Sequence, residues 1–300
     1  MYRANVRPAV QPAVREGYAH AADGTRLYWT AEGSGPALLC SNGIGVSTFF
    51  WAPVARELST DFTVIRWDYR GHGLSDDPLE RSSATLTGCA EDALAVLDQL
   101  EITRAVLLGH SMGTQVGFEV ARLRPRAVAG LVPTLGTYRR PIDTFFNTKH
   151  SLKGFAVMRR AIPLAPRLLA RATAAAMRSP IADPTARILR LVHPELCPKS
   201  ALEPYLEHNC RVDLQLYLNL AESMQAHDAT EQLRTMHIPT LVVAGDRDLF
   251  TPLSVSQEMA ALIPDAELFV IPGGSHAALV EQPLLLALRL RKFLAERVKF

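Results

Sequence analysis

Five residues, Gly109-His110-Ser111-Met112-Gly113, constrain the fold of this chain more than any other part of it. A mostly apolar run at 104–108 precedes them and is typical of a buried strand, and the apolar spacing at 114–121 is typical of a helix. A strand that turns this sharply into a helix needs glycine on both sides of the turning residue, because side chains there would clash with neighbouring backbone. The pattern therefore predicts a strand–turn–helix unit in which Ser111 has strained backbone angles.

Such a turn lifts the hydroxyl of Ser111 out of the sheet at the N-terminus of the helix, an arrangement called a nucleophile elbow. The G-x-S-x-G pattern alone is a weak signal, and the flanking strand and helix make it more specific. The alternative is a tight glycine turn whose serine only caps the helix. The first interpretation makes Ser111 the candidate nucleophile of a serine hydrolase.

Short apolar runs and helical patterns alternate along most of the chain. Strands are predicted at 37–41, 62–67, 105–109, 128–132, 240–245 and 267–271, and helices at 50–58, 83–100, 254–262 and from about 283. The pair Asp23-Gly24, between two further runs, indicates a hairpin. This alternation predicts an α/β fold, with a mostly parallel, twisted, eight-stranded sheet covered by helices on both faces.

The alternation stops between residues 138 and 233. This stretch is rich in Ala, Leu, Arg and Pro and favours several short helices. We therefore predict one sheet domain, residues 1–137 and 234–300, interrupted by a helical cap at 138–233, called the cap segment below. From 138 to 230 the sequence has 13 Lys/Arg and 8 Asp/Glu. A solvated outer face explains this excess most simply, and a membrane-surface or anionic-substrate role is the alternative.

A serine hydroxyl is a poor nucleophile until a base accepts its proton. Functional groups of α/β sheets gather outside the carboxyl ends of the strands. The loop after the strand at 240–245 contains Asp248, and the loop after the strand at 267–271 contains His276. The order serine, aspartate, histidine therefore predicts His276 as the base and Asp248 as the acid that orients it.

The choice between two aspartates depends on how far each side chain can extend towards His276. Asp246 lies one residue after its strand, whereas Asp248 lies deeper in the loop and can extend towards the loop of His276. We therefore favour Asp248 and expect a structural role for Asp246. A surface histidine in a glycine-rich turn is the alternative for His276. Two other histidines are less suited as bases: His110 because adjacent side chains on an elbow diverge, and His72 because it precedes the serine.

The same chemistry needs N–H donors for the charge that develops on a substrate oxygen. The backbone N–H of Met112, at the start of a helix, is one candidate. The N–H of Ile44 is the other, since the glycines of loop 42–45 allow the backbone to approach a substrate closely. A plain glycine turn between strand and helix is the alternative for this loop.

Three aromatic residues follow the glycine loop: Phe49, Phe50 and Trp51. Together with a cap segment rich in Leu, Ala and Met, they favour an apolar pocket for a medium-sized acyl or alcohol group. Core packing explains these aromatics equally well.

Composition limits the partners. A net charge of +2 over 300 residues, without a Lys/Arg run, predicts no nucleic-acid partner. Neither a dinucleotide fingerprint nor a P-loop pattern occurs, and no cofactor is expected. Four cysteines without C-x-x-C spacing predict free thiols and no metal site. The expected partner is a small-molecule ester or lactone, and the oligomeric state is left open.

No apolar run approaches the ~20 residues of a membrane span. The first dozen residues are expected to form a loose arm. They lack the apolar segment of a signal peptide, so a cytoplasmic location is expected.

These motifs resemble the α/β-hydrolase superfamily, and in particular its branch with a helical cap. The matching pieces follow in family order over almost the whole chain: 42–45, 68–75, 109–113, 245–252 and 273–276. The resemblance implies a triad of Ser111, Asp248 and His276, oxyanion amides at Ile44 and Met112, and a likeness to enol-lactonases, carboxylesterases and non-haem perhydrolases. The stretch 68–76 is expected to be architectural, with Asp68 and Arg70 tying its loop to the elbow region.

Two positions depart from the family pattern. Asn42-Gly43 stands where many members have His-Gly, and Thr114 stands where many have a second glycine after the elbow. Neither change removes a catalytic group.

The leading hypothesis is hydrolysis of a carboxylic ester or lactone of a small to medium apolar substrate through an acyl-enzyme. A carbon–carbon bond hydrolase or a perhydrolase would use the same residues. The alternative that is not primarily an enzyme is a ligand receptor built on a hydrolase scaffold, which would turn over its ligand slowly. Dehalogenases and epoxide hydrolases of this fold use a carboxylate nucleophile, so Ser111 argues against both.

Overall fold

The structure is a computed structural model that describes residues 13–148, 150–211 and 213–300. The arm expected at the N-terminus lies outside these residues. The strands are β1 (Arg15–His20), β2 (Arg26–Glu32), β3 (Ala37–Ser41), β4 (Thr63–Trp67), β5 (Ala105–His110), β6 (Val128–Thr134), β7 (Leu241–Gly245) and β8 (Glu267–Ile271). The α-helices are α1 (Ala52–Leu58), α2 (Leu86–Gln99), α3 (Met112–Leu123), α4 (His150–Leu164), α5 (Pro166–Met177), α6 (Ala182–Ile188), α7 (Lys199–Asn209), α8 (Leu214–Ala226), α9 (Thr230–Thr235), α10 (Leu253–Leu262), α11 (Ala278–Glu281) and α12 (Pro283–Arg297).

The eight strands form one open sheet in the order β1-β2-β4-β3-β5-β6-β7-β8. Strand β2 runs antiparallel to both of its neighbours, and the pairs from β4 to β8 are parallel. The α/β fold with an eight-stranded, mostly parallel sheet is therefore confirmed. Strands β1 and β2 form the hairpin predicted at Asp23-Gly24.

The central strand β3 is covered on both faces, and this explains why its apolar run is continuous. All five residues of β3 are buried. Its alternate side chains enter two different cores: Ala37 and Leu39 pack with residues of α2, α3 and α10, whereas Leu38 and Cys40 pack with residues of α1 and α12. Because successive side chains point to opposite faces, a strand covered on both sides needs apolar residues at every position.

The predicted elements agree with the observed ones to within about two residues, with one instructive exception. The helix expected to begin at Ser83 begins at Leu86. The hydroxyl of Thr85 accepts the N–H of Gly88 at 3.0 Å and so defines the start of α2, while residues 81–83 form a short 3₁₀ turn. A capping side chain satisfies an amide that has no partner inside the helix.

Helices α4 to α8 occupy the predicted cap segment, and its described residues contain no strand. Helix α9 crosses the predicted boundary at 233, and its Leu233 is buried in the core that lies beneath α2 and α3. The two domain boundaries stay predictions. No helix among the described residues combines the length and the apolar character needed to cross a membrane. The four cysteines are not paired with one another in the structure.

Candidate active site

The turn between β5 and α3 has the strained geometry predicted for an elbow. Ser111 has φ 52° and ψ −114°, a conformation that costs a residue with a side chain of order 1–3 kcal/mol. A β-carbon on Gly109 would lie 2.3 Å from the Gly113 carbonyl oxygen, and one on Gly113 would lie 2.4 Å from the Ser41 carbonyl oxygen. Both positions therefore require glycine. The Ser111 hydroxyl makes no capping hydrogen bond to α3, which removes the interpretation of Ser111 as a helix cap.

Three loops bring a serine, a histidine and an aspartate into line. The distance from His276 Nε2 to Ser111 Oγ is 3.1 Å, and the distance from His276 Nδ1 to Asp248 Oδ2 is 2.9 Å. The Asp248 side chain is fully buried, whereas that of His276 keeps 18% of its surface exposed. This geometry allows a proton to leave the serine for an imidazole whose other nitrogen is already engaged.

Asp248 is held within its own loop. Its Oδ1 accepts the N–H groups of Phe250 and Thr251 at 2.8 and 3.0 Å, and its Oδ2 accepts the Thr251 hydroxyl at 2.6 Å. Burial raises the pKa of Asp248, but His276 and the Thr251 donors outweigh that effect and leave the pKa below its ordinary value. The carboxylate is therefore ionised at neutral pH. Asp246, the other acid considered, is exposed, and the Nδ1–H of His276 donates to Asp248.

The loop of His276 is fixed from beneath by His110, a residue that sequence reasoning did not assign. The Nε2–H of His110 donates to the carbonyl oxygen of His276 at 3.0 Å, and the two rings lie 5.0 Å apart. Burial first, and then the nearby His276, lower the pKa of His110 to about 3. His110 is therefore neutral at physiological pH and serves as a fixed donor. Its position beside Ser111 was the only sequence signal for this role.

A buried glutamate holds the same loop from the C-terminal side. Glu281 accepts the N–H of Ser275 at 3.1 Å and its hydroxyl at 2.5 Å. It also accepts the backbone N–H of His193, which belongs to the cap segment, at 2.6 Å. Nothing in the sequence pattern pointed to Glu281.

The glycine loop after β3 lies against the elbow. A β-carbon on Gly43 would lie 3.1 Å from Ser111 Cβ and 3.1 Å from His110 Nδ1. Met112 is the first residue of α3, and the first amides of a helix have no partner within it. Among the hydrogen bonds of the described residues, none uses the N–H of Ile44 or Met112 as a donor. Both predicted donors are therefore available next to the serine.

The peptide after Ile44 is held from two sides. On the core side, the N–H of Gly45 donates to His72 Nε2 at 3.1 Å. On the cap side, the Tyr217 hydroxyl donates to the Ile44 carbonyl at 3.3 Å, and Asn209 Nδ2 donates to the Gly45 carbonyl at 3.0 Å. Gly45 has φ +71°, and a β-carbon there would lie 2.6 Å from Asn209 Oδ1, so only glycine allows this approach.

His72, set aside as a base, is the core anchor of this loop. Its Nδ1 lies 3.2 Å from the Arg70 carbonyl oxygen, to which it donates, and this leaves Nε2 as the acceptor for Gly45. Burial is the main cause that lowers the pKa of His72 to about 4. The ring is therefore neutral, and it carries its proton on Nδ1.

The structure corrects the role expected for the stretch 68–76. Asp68 accepts the N–H groups of Thr48 and Leu74, so it joins its loop to the loop after β3 and not to the elbow. Burial raises the pKa of Asp68 to about 6, although these amides favour the ionised form. Arg70 instead forms a buried ion pair with Asp92 on α2, at 2.5 Å, and a further pair with Asp23 in the β1–β2 turn. A buried guanidinium needs a carboxylate partner, and the elbow has none to offer it.

The three aromatics predicted to line a pocket are divided between different environments. Trp51 is fully buried in the core and donates its indole N–H to the Ser41 carbonyl at 3.2 Å. Phe50 is also buried, 5.0 Å from the His110 ring. For these two residues, the structure favours the core-packing alternative. Phe49 is half-buried and lines a cavity of about 360 Å³ between loop 71–77 and α7, whose lining does not include the triad residues.

A separate aromatic cluster lies beside the histidine. The Phe250 ring is 4.8 Å from the His276 ring, and the rings of Phe145 and Phe146 lie 5.5 and 5.1 Å from Phe250. Phe145 and Phe146 belong to the cap segment, so this side of the base is apolar and is formed jointly by core and cap. Sequence reasoning missed this cluster because Phe145 and Phe146 lie about a hundred positions away from Phe250.

Comparison with known proteins identifies the family of this fold. A family model described as the alpha/beta hydrolase fold matches residues 36–283. A protein from Pseudomonas syringae pv. syringae that carries the name carbamate hydrolase RutD is 29% identical over 261 residues, which cover 87% of this chain and 94% of that protein.

Solved structures give the same fold. An esterase from Thermogutta terrifontis superposes with a TM-score of 0.75 at 23% identity, covering 95% of this chain and all of that one. An enol-lactonase from Burkholderia xenovorans superposes with a TM-score of 0.73 at 24% identity, covering 93% of this chain and all of that one. At these identities the likeness establishes the fold alone.

Proposed function

The chain belongs to the α/β-hydrolase family, and we propose that it is a serine hydrolase that cleaves a carboxylic ester or lactone of a small to medium apolar substrate. One observation carries this proposal: the imidazole of His276 contacts Ser111 Oγ with one nitrogen and Asp248 with the other. An ionised, buried carboxylate behind the base selects the tautomer in which Nε2 can accept a proton. The residues proposed as catalytic are Ser111, Asp248 and His276.

In the first half of the reaction, Ser111 Oγ attacks the acyl carbon and its proton passes to His276 Nε2. The carbonyl oxygen becomes an oxyanion and accepts hydrogen bonds from the N–H groups of Ile44 and Met112. The bond to the alcohol oxygen then breaks, and His276 returns the proton to that oxygen. Asp248 stabilises the imidazolium while it carries the proton.

In the second half, water attacks the acyl-enzyme and gives its proton to His276. The same two amides hold the second oxyanion. The bond to Ser111 Oγ breaks, His276 protonates the serine, and the carboxylic acid leaves. In a lactone the acid and the alcohol are parts of one product, so both halves of the reaction act on one molecule.

We propose the cap segment, 138–233, as the cover of this site. It supplies Phe145 and Phe146 beside the base and Asn209 and Tyr217 beside the oxyanion loop. The aromatic cluster around Phe250 favours an apolar substrate group on that side.

A carbamate is the second candidate substrate, because the relative at 29% identity carries the name of a carbamate hydrolase. The same residues serve either reaction up to the acylated serine. They differ afterwards, because donation from the carbamate nitrogen makes a carbamoyl-serine less electrophilic than an acyl-serine. A carbamate hydrolase must therefore accelerate the second half more than an esterase does.

The test is a panel of p-nitrophenyl esters of rising acyl length, measured for the wild type and for Ser111→Ala. We expect the variant to lose kcat/KM by roughly 10⁴–10⁶-fold. Asp246→Asn is the control, since that carboxylate is exposed, and its activity should stay near the wild-type value. Equal hydrolysis by the wild type and Ser111→Ala would exclude the proposed nucleophile.

A p-nitrophenyl carbamate separates the two candidate substrates. If the protein is an esterase, we expect one equivalent of p-nitrophenol and then inactive, carbamoylated enzyme. Steady release of many equivalents would instead identify the carbamate as the substrate class.

A further inference from the structure

The outer layer of the cap segment combines charge and apolar surface in an unusual way. From 144 to 182 the sequence has seven Lys/Arg and no Asp/Glu. Helices α4 and α5 cover most of this stretch, and a single residue, Ala165, separates them. Positive charge without interspersed negative charge favours an anionic partner over a plain solvated face.

These two helices also expose large apolar side chains. Helix α5 has no buried residue, and α4 buries only Ile162. Leu164 and Leu168, around the junction of the helices, are 85% and 69% exposed, and Val157 and Met158 on α4 are exposed as well. Single exposed leucines are ordinary, but several on adjoining helices form a patch, and such patches mark interaction sites.

The charged and apolar residues share one face of α5. Arg167, Leu168, Arg171, Ala172 and Ala175 are all exposed, and their spacing places them along one side of the helix. Arginine can lay its aliphatic stem beside apolar groups while its guanidinium stays at a polar boundary. This side of α5 therefore presents cations and aliphatic groups together, the combination that suits the boundary between lipid headgroups and acyl chains.

We propose that α4 and α5 form a docking surface for a membrane that contains anionic lipids. The arginines would bind lipid phosphates, and the aliphatic side chains around Leu164 would enter the boundary between headgroups and acyl chains. This proposal is independent of the reaction at Ser111, since it concerns where the molecule resides and not what it cleaves.

Two other occupants fit the same surface less well. A second copy docked through a two-fold axis would bring the same cations face to face without an acidic residue of α4 or α5 between them. Among the described residues of this surface, Arg159 alone has an acidic neighbour, Glu222 at 3.8 Å. A nucleic acid would use the cations but not the aliphatic residues, because single strands stack on aromatic side chains.

The experiment is co-sedimentation of the full chain with vesicles of equimolar phosphatidylcholine and phosphatidylglycerol, and with vesicles of phosphatidylcholine alone. We expect binding to the anionic vesicles only, and a loss of binding at high salt. L164S/L168S and R167Q/R171Q should each weaken binding by at least about tenfold, since one removes the inserted groups and the other removes two charges.

Matched controls lie outside the cap segment. Leu284 and Leu288 on α12 have the same spacing and are each 56% exposed, and Arg104 and Arg126 are exposed on the core. L284S/L288S and R104Q/R126Q should bind vesicles like the wild type. Esterase activity on a soluble substrate, or thermal unfolding if no activity is found, verifies that every variant is folded.

Three results would overturn the proposal. The first is no binding of the wild type to anionic vesicles at low salt. The second is binding that R167Q/R171Q abolishes and L164S/L168S leaves unchanged, which would indicate a generic polyanion site such as one for nucleic acid. The third is a dimer in solution that L164S/L168S dissociates, because the face would then be occupied by a second copy.

Discussion

The two halves of the candidate site are held in different ways. The base half, Asp248 and His276, is assembled from two loops of the sheet domain, and most of its hydrogen bonds come from within those loops. The oxyanion half, around Ile44, is held by side chains from elsewhere: His72 in the loop after β4, and Asn209 and Tyr217 in the cap segment.

This difference has a mechanical consequence. The base half depends mainly on hydrogen bonds inside its own loops and on the contact between Asp248 and His276. Its cap contacts are the aromatic rings of Phe145 and Phe146 and a link through Glu281, so changes in the cap segment should affect it less than the oxyanion half. The oxyanion half depends on the relative position of core and cap, so a shift of α7 or α8 changes where the Ile44 amide points. If the cap moves during turnover, we expect oxyanion stabilisation to follow that movement more closely than proton transfer does.

The largest expected effect comes from the base half. Asp248→Asn should reduce kcat by roughly 10⁴-fold, because the neutral amide stabilises neither the imidazolium nor the required tautomer. The value of kcat/KM should fall by a similar factor, because the same interaction is lost in the transition state. The matched change Asp246→Asn should leave both quantities close to wild type. A larger loss in Asp246→Asn than in Asp248→Asn would reassign the acid.

The next effect tests His72, the histidine that holds the oxyanion half from the core side. Burial holds the pKa of His72 at about 4, whereas the unfolded chain has the ordinary value of ~6.5. The unfolded state therefore takes up the proton first as the pH falls, and the folded state loses stability from about pH 6.5 towards about pH 4. Between about pH 7 and pH 5 this single group should contribute a loss of about 2 kcal/mol in the free energy of unfolding.

Replacing this ring tests the origin of that loss. His72→Gln keeps an acceptor for the Gly45 N–H and cannot titrate, so urea unfolding at the two pH values should show a difference smaller by about 2 kcal/mol. The pKa of Asp68 is raised to about 6, so its contribution to the free energy of unfolding changes with pH in the opposite direction to that of His72. This contribution is the same in the wild type and in His72→Gln, and it cancels when the two proteins are compared. His20→Gln, at an exposed position of β1, is the control. If the free energy of unfolding of His72→Gln depends on pH as it does in the wild type, the His72 ring is not the source of the lost stability.

The smallest effect tests the link between cap and core. Tyr217→Phe removes the donor to the Ile44 carbonyl, and we expect kcat to fall by up to about tenfold, since such a hydrogen bond contributes about 0.5–1.5 kcal/mol. KM and the pH dependence of kcat/KM should stay near wild type, because the base half is untouched. Tyr28→Phe, which removes a hydroxyl bonded to Glu16 in the β1–β2 hairpin, is the matched control. A shifted pH profile in Tyr217→Phe would show that the two halves are not independent.

The sequence by itself determined the sheet, the elbow and the contact between Ser111, His276 and Asp248. Ser111 and His276 are 165 positions apart, yet their meeting was predictable because parallel strands bring their carboxyl ends to one edge. Local patterns were sufficient for these predictions, because strand periodicity and glycine spacing depend only on residues that are close in the sequence. Loop depth likewise favoured Asp248 over Asp246, and it is Asp248 that accepts the hydrogen bond from His276.

Only the tertiary structure decided how the site is supported. The contacts of Asn209 and Tyr217 with the loop after β3 span 164 and 173 positions, and they join a helical segment to a loop without any shared periodicity. The roles of His110 and His72 depend on burial, which makes both rings neutral, and on the acceptor or donor that each ring meets. Such pairings arise from the packing of whole elements against one another, so no local pattern of residues encodes them.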